Sequence, residues 1–132
     1  MTIFYISGPI TSDPDYKLKF ALAEKFLSRL GEVVNPAAFE FDESELDPGK
    51  FPPEYIWAKY MAHDLKKLEK VAKKTGRKVL VHLDGWENSR GAALEHEIAL
   101  EHGFIPYEIL WILPEWEDML KAELERAREA AK

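Results

Sequence analysis

Lys78-Val79-Leu80-Val81-His82-Leu83, then Asp84-Gly85-Trp86-Glu87, then Asn88-Ser89-Arg90-Gly91-Ala92-Ala93-Leu94-Glu95, is the stretch on which the fold turns. The first six residues read as a strand and the next four as its turn. A helix then runs from about Ser89 to His102 and closes at Gly103, the residue that most readily ends a helix. Phe104 to Leu110 reads as another strand. Two strands joined through a helix form a βαβ unit, which requires the strands to be parallel.

The same alternation extends in both directions. Ile3-Phe4-Tyr5-Ile6-Ser7 is a short apolar run ended by Gly8-Pro9, the pattern of a buried strand. Asp13-Pro14 marks a helix start and Gly31 its stop, and between them Tyr16, Phe20, Ala23, Leu27 and Leu30 recur at steps of four and three, as one helical stripe does. Glu32 to Pro36 reads as a second strand, residues 37–53 as a long acidic loop, and Glu54 to Lys74 as a second helix. A charged helix at about 115–131 ends the chain. The order predicts a single α/β domain over residues 1–132. It is doubly wound (Rossmann-like or flavodoxin-like), with a mostly parallel sheet of about four to five strands and helices on both faces. Ligands of such sheets bind at the carboxyl ends of the strands. Loops as long as 37–53 are often lids; a lid here would exclude water and favour group transfer over hydrolysis.

Composition narrows the function classes. The chain has 132 residues, enough for one core without staples, and its 46% hydrophobic and 32% charged residues are the balance of a soluble protein. No apolar run approaches the roughly 20 residues of a membrane helix, and the first residues carry no signal-peptide pattern. With no cysteine at all, thiol catalysis and cysteine-bound metals are excluded and a reducing, cytoplasmic location is expected. A net charge of −6 argues against a nucleic-acid duplex as partner, which leaves a small molecule as the expected ligand. The histidines lack metal-ligand spacing, so neither a metal nor another cofactor is expected.

Two carboxylates are out of keeping with their surroundings. On the second helix Trp57, Met61, Leu65, Leu68, Val71 and Ala72 share one apolar arc, and Asp64 falls near its middle. An unpaired buried charge is costly, so Asp64 caps or pairs with a neighbour, shifts its pKa, or faces a cavity. On the next helix Glu95 lies one turn after Gly91, a position without a side chain, which leaves open space beside the carboxylate for a substrate. Glu97 and Glu101 are rotated about 200° and 240° away, so Glu95 alone shares the Gly91 face; otherwise it is one more solvated glutamate. Asn88 or Ser89 can cap this helix, and the free N–H groups around Arg90 and Gly91 favour an anion or an oxygen-rich ligand, or simply mark an ordinary start. Trp86 can stack on a flat ring or fill a core.

Three blocks together resemble the nucleoside 2-deoxyribosyltransferase superfamily, which includes the deoxynucleoside 5′-monophosphate N-glycosidases, and specifically a short branch of it. They are Tyr5-Ile6-Ser7-Gly8-Pro9-Ile10, His63-Asp64-Leu65, and Gly85-Trp86-Glu87-Asn88-Ser89-Arg90-Gly91 leading to Glu95, within residues 3–107. The resemblance implies cleavage or exchange of the N-glycosidic bond of a (deoxy)nucleoside or its 5′-monophosphate through a glycosyl ester on Glu95. It further implies that Asp64 is the acid/base, that Tyr5 stands close to the nucleophile, and that Ser7, Gly8, Pro9, Ile10, Trp86, Ser89, Arg90 and Gly91 hold the substrate. A homodimer or higher homo-oligomer is also implied. The chain departs from the monophosphate hydrolases in having Pro9 and Thr11 where they place a phosphate-holding Ser and Arg. The alternative is a module that binds a nucleotide or nucleotide-sugar without chemistry.

Overall fold

Four parallel strands form one sheet in the computed structural model of the chain, which describes residues 1–38, 47 and 49–132. They are β1 (Thr2–Ser7), β2 (Glu32–Val34), β3 (Arg77–His82) and β4 (Ile105–Glu108), in the spatial order β2-β1-β3-β4. The helices are α1 (Tyr16–Leu27), α2 (Pro53–Ala72), α3 (Arg90–Glu101), the single turn α4 (Ile109–Ile112) and α5 (Trp116–Ala130), with 3-10 turns at Pro36–Ala38 and Trp86–Asn88.

The side-chain alternation of the strands divides the core in two. Phe4, Ile6, Val79 and Val81 face Phe20 and Leu27 of α1, Ile109 of α4 and Trp116 of α5. Ile3, Tyr5 and Leu80 face Leu68 and Val71 of α2 and Ala99 of α3. Both faces of the sheet are covered, as a parallel sheet requires, and the fold is a single-domain, Rossmann-like α/β fold. Each fully buried aliphatic or aromatic side chain contributes about 1.5–3 kcal/mol, so these two clusters supply the main driving force for folding.

The chain leaves β1 towards β2 on one side and returns across β1 to β3 on the other. That reversal opens a cleft between the carboxyl ends of β1 and β3, where ligands of doubly wound sheets sit. Ser7 and His82 are register partners at this end, with side chains on the same face of the sheet.

Several expectations shift at their edges. Helix α1 starts at Tyr16, because the Asp13 carboxylate accepts the Asp15 N–H (2.8 Å) and the Lys19 ammonium, forming a turn before the helix instead of its cap. Leu30 lies past the end of α1 and is exposed. The strand expected to reach Leu110 ends at Glu108, where Ile109 turns inward onto the α1 face to begin α4. Of the acidic loop, residues 39–46 and 48 lie outside the described residues, and the expectation of a lid lies there with them.

Candidate active site

The last residues of β1 and the middles of α2 and α3 converge on one carboxyl group. Tyr5 and Ser7, two apart on β1, point to the same face, and α3 lays Glu95 over them. The Ser7 hydroxyl donates to Glu95 Oε1 at 2.9 Å. The Tyr5 hydroxyl lies 2.8 Å from Glu95 Oε2 and 3.0 Å from the main-chain carbonyl of Asp64. Its one proton cannot serve both acceptors. When Glu95 is protonated, it donates to Tyr5 and Tyr5 donates to the carbonyl; when Glu95 is ionised, Tyr5 donates to Glu95.

Glu95 and Asp64 are each only 4% exposed. Burial pushes the Glu95 carboxyl up to about 8, the charge of Asp64 adds to the rise, and the hydrogen bonds from Tyr5 and Ser7 oppose it. Burial likewise raises Asp64 to about 7, against the pull of Lys67. His63 Nδ1 lies 3.2 Å from Asp64 Oδ1. Burial and the neighbouring Glu95 and Asp64 push the Tyr5 phenol up, so it stays protonated. Two coupled buried carboxyls titrating near neutrality can divide the labour, one ionised for attack and one protonated to donate.

Glu95 and Asp64 line a cavity of about 300 Å³ together with Gly8, Ile10, Ser89, Arg90 and Gly91, all expected from sequence. Ser89 caps α3, its hydroxyl accepting the Ala92 N–H at 3.2 Å. Gly91 lines the cavity as expected, but the gap at its missing side chain is not left open for a substrate. A Cβ there would lie 2.8 Å from Met61 Sδ, so the missing side chain is filled largely by Met61 and lets α2 and α3 approach closely. Arg90 donates to both carboxylate oxygens of Glu54 at 2.8 and 3.0 Å and stacks on Trp57.

The other expected residues stand off the cavity. Tyr5 and Ser7 lie behind Glu95 and act on it, while Pro9 packs beside Gly85, whose φ of 84° suits glycine and turns the chain into the Trp86–Asn88 turn. Trp86 is also not among the lining residues, against the expectation that it holds a substrate ring. Its indole stacks on His82 at 3.8 Å and on His96 at 4.7 Å, and its N–H donates to Glu108 at 3.0 Å. His82 Nε2 and His96 Nδ1 are 2.8 Å apart. Burial, then His96, lowers His82 to about 4, so His82 is neutral near pH 7, and its Nδ1 is buried without a partner among the described residues.

Sequence reasoning left out Thr11, Ser12, Trp57, Tyr60, Met61, Asn88 and Ala92 of the lining. The signal for three of them was present, since Trp57, Tyr60, Met61 and Asp64 recur at steps of three and one and three on one side of α2. Trp57 and Met61 read equally well as core, because a stripe of apolar residues looks the same whether it faces a sheet or a cavity. No signal marked the His82–His96 pair, whose members come from different elements.

A family profile described as "Domain of unknown function (DUF4406)" matches residues 2–107, from the start of β1 into β4. No curated protein and no solved structure matches the chain.

Proposed function

From the premise that the chain belongs to the DUF4406 family, we propose that it cleaves or exchanges the N-glycosidic bond of a (deoxy)nucleoside or its 5′-monophosphate. One observation carries this reading: a buried carboxyl, Glu95, held on both oxygens by Tyr5 and Ser7, shares a 300 Å³ cavity with a second buried carboxyl, Asp64. Paired carboxyls of unequal protonation are the working parts of retaining glycosyl chemistry. Glu95 holds a proton more strongly than Asp64, so the reactive form is the minority one in which the pair's single proton sits on Asp64: the ionised Glu95 then attacks the anomeric carbon while Asp64 gives its proton to the departing base. The glycosyl ester is then opened by water or by a second base, with Asp64 taking the proton. Tyr5 and Ser7 hold the Glu95 oxygens and stabilise its ionised form. Trp57, Tyr60 and Met61 supply an apolar wall for a flat base. No cofactor enters this chemistry.

The test is release of free base from ribo- and deoxyribonucleosides and their 5′-monophosphates, followed by chromatography with and without a second base. Release or exchange that disappears in Glu95→Ala is the expected result. Full turnover by Glu95→Ala or by Asp64→Asn would remove the proposal. One observation favours a second reading, a binding module without chemistry: both Glu95 oxygens already have partners, so the carboxyl is satisfied in its neutral form. Saturable binding with no product over long incubation is that reading's signature.

We further propose a cytoplasmic protein acting as a homodimer or higher oligomer. Support comes from the absence of cysteine and from the exposed Leu100, Ile105 and Trp111, the last 69% exposed. No helix among the described residues is long and apolar enough to cross a membrane.

A further inference from the structure

Among the described residues lining the cavity, one cation, Arg90, stands against two carboxyls, Asp64 and Glu95. That cation is already engaged on two sides. One guanidinium nitrogen donates to both oxygens of Glu54, and the guanidinium carbon lies 3.6 Å from the centre of the Trp57 ring. Glu54 is the second residue of α2 and Arg90 the first of α3, so the pair joins two helix starts at the cavity rim. Glu54 suits its place independently, because a carboxylate in the first turn complements the positive end of the helix dipole.

We infer that Glu54 is a specificity-determining residue: by holding Arg90 on Trp57 it withholds the cavity's cation from anionic substrates, so the site takes an uncharged nucleoside in preference to its 5′-monophosphate. The substrate half of this inference rests on the glycosyl reading, whereas the latch of Glu54 on Arg90 does not. A phosphate that takes the Nη1 donors of Arg90 must displace Glu54, and one that uses the remaining guanidinium N–H groups still sits beside the Glu54 carboxylate, which offsets the Arg90 charge. The Arg90 and Glu54 side chains are 61% and 77% exposed, so their attraction is screened and the latch shifts affinities by at most about fivefold, not by orders of magnitude. The start of α3 does attract negative charge, but Ser89 already takes the N–H of Ala92 there. A phosphate bound in this cavity would also disfavour the ionised form of Glu95 on which the attack depends. An uncharged sugar hydroxyl meets none of these costs.

Calorimetric titration of the wild-type chain and of Glu54→Gln separates the two halves, with inorganic phosphate as the first ligand and a deoxynucleoside and its 5′-monophosphate as the second and third. Wild type is expected to bind the nucleoside about tenfold more tightly than the monophosphate. Glu54→Gln should narrow that ratio and raise the affinity for inorganic phosphate, each by about fivefold, and adding Arg90→Ala should abolish the phosphate gain. Thermal melts establish that the variants are folded. Equal phosphate affinity in wild type and Glu54→Gln, or tighter monophosphate than nucleoside binding by wild type, overturns the inference. A phosphate gain in Glu54→Gln with no nucleoside bound by any variant supports the latch and removes the glycosyl reading instead.

Discussion

Tyr5 has one hydroxyl proton and two acceptors within 3.0 Å, the Glu95 carboxyl and the Asp64 carbonyl. The protonation state of Glu95 therefore decides which way that proton points, and Tyr5 in turn weights the protonation state of Glu95. The hydrogen bonds from Tyr5 and Ser7 are the two influences that lower a carboxyl otherwise raised by burial and by Asp64. Tyr5→Phe removes one of them while leaving the ring in the buried cluster it shares with Leu68 and Ala99. The Glu95 carboxyl is then expected to titrate higher than in wild type, by roughly one pH unit, the size of a single buried hydrogen bond to the charged form. Carbon NMR of labelled glutamate carboxyls across the pH range reads this directly and needs no turnover. An unmoved Glu95 titration would mean that the phenol fills space without influencing the carboxyl.

The site depends on how closely α2 and α3 approach, and Met61 against Gly91 is a point of close contact between them. Met61 of α2 occupies the space where Gly91 of α3 lacks a side chain, which brings Asp64 and Glu95, each one turn further on, into the same cavity. Gly91→Ala would gain about 0.5–1 kcal/mol of helix propensity, but it forces Met61 aside, and overpacking of this kind costs about 1–3 kcal/mol. The flexible thioether moderates the cost without removing it. Urea unfolding is expected to show Gly91→Ala as destabilised by about 1 kcal/mol. In a cycle with Met61→Ala, the two changes should couple by about 1 kcal/mol or more, because the small residue makes room for the new methyl. Additive losses would show that the crossing of the two helices is set elsewhere.

At the scale of the whole molecule, three buried titratable groups act on stability in opposite directions. Asp64 and Glu95 have folded-state values of about 7 and 8 against ordinary values of 3.8 and 4.5, so the stability they allow is fully present at low pH and is lost as pH rises towards 8. His82 is held at about 4 against 6.5, so its cost appears only as pH falls from 6.5 towards 4. Between pH 6.5 and pH 8 the carboxyls dominate. The wild-type chain is expected to lose on the order of 2 kcal/mol of stability between pH 6.5 and pH 8. The double variant Asp64→Asn, Glu95→Gln should lose almost none of it, and His82→Phe should leave that fall intact while flattening the acid side. Urea melts at four pH values test all three, and a wild-type stability that rises from pH 6.5 to 8 contradicts the assignment.

Much of this was legible along the chain, for reasons that are local. The strands at 3–7 and 78–83, the stop at Gly103 and the cap at Ser89 depend on short-range preferences of backbone and side chain, and the alternation of strands and helices then restricts the sheet to a parallel, doubly covered one. Asp64 and Glu95 stood out because a helix has a fixed angular period, so a carboxylate on an apolar arc, or one turn after a glycine, is visible without coordinates. What the sequence could not settle were distances between elements. That Met61 fills the Gly91 gap, that Trp86 stacks on two histidines and leaves the cavity wall to Trp57, and that Glu54 holds Arg90 all depend on which helix faces lie opposite each other. Those pairings join residues from different elements, up to the 36 positions between Glu54 and Arg90, and they are decided by packing at close density across the sheet's carboxyl edge, which no local preference encodes.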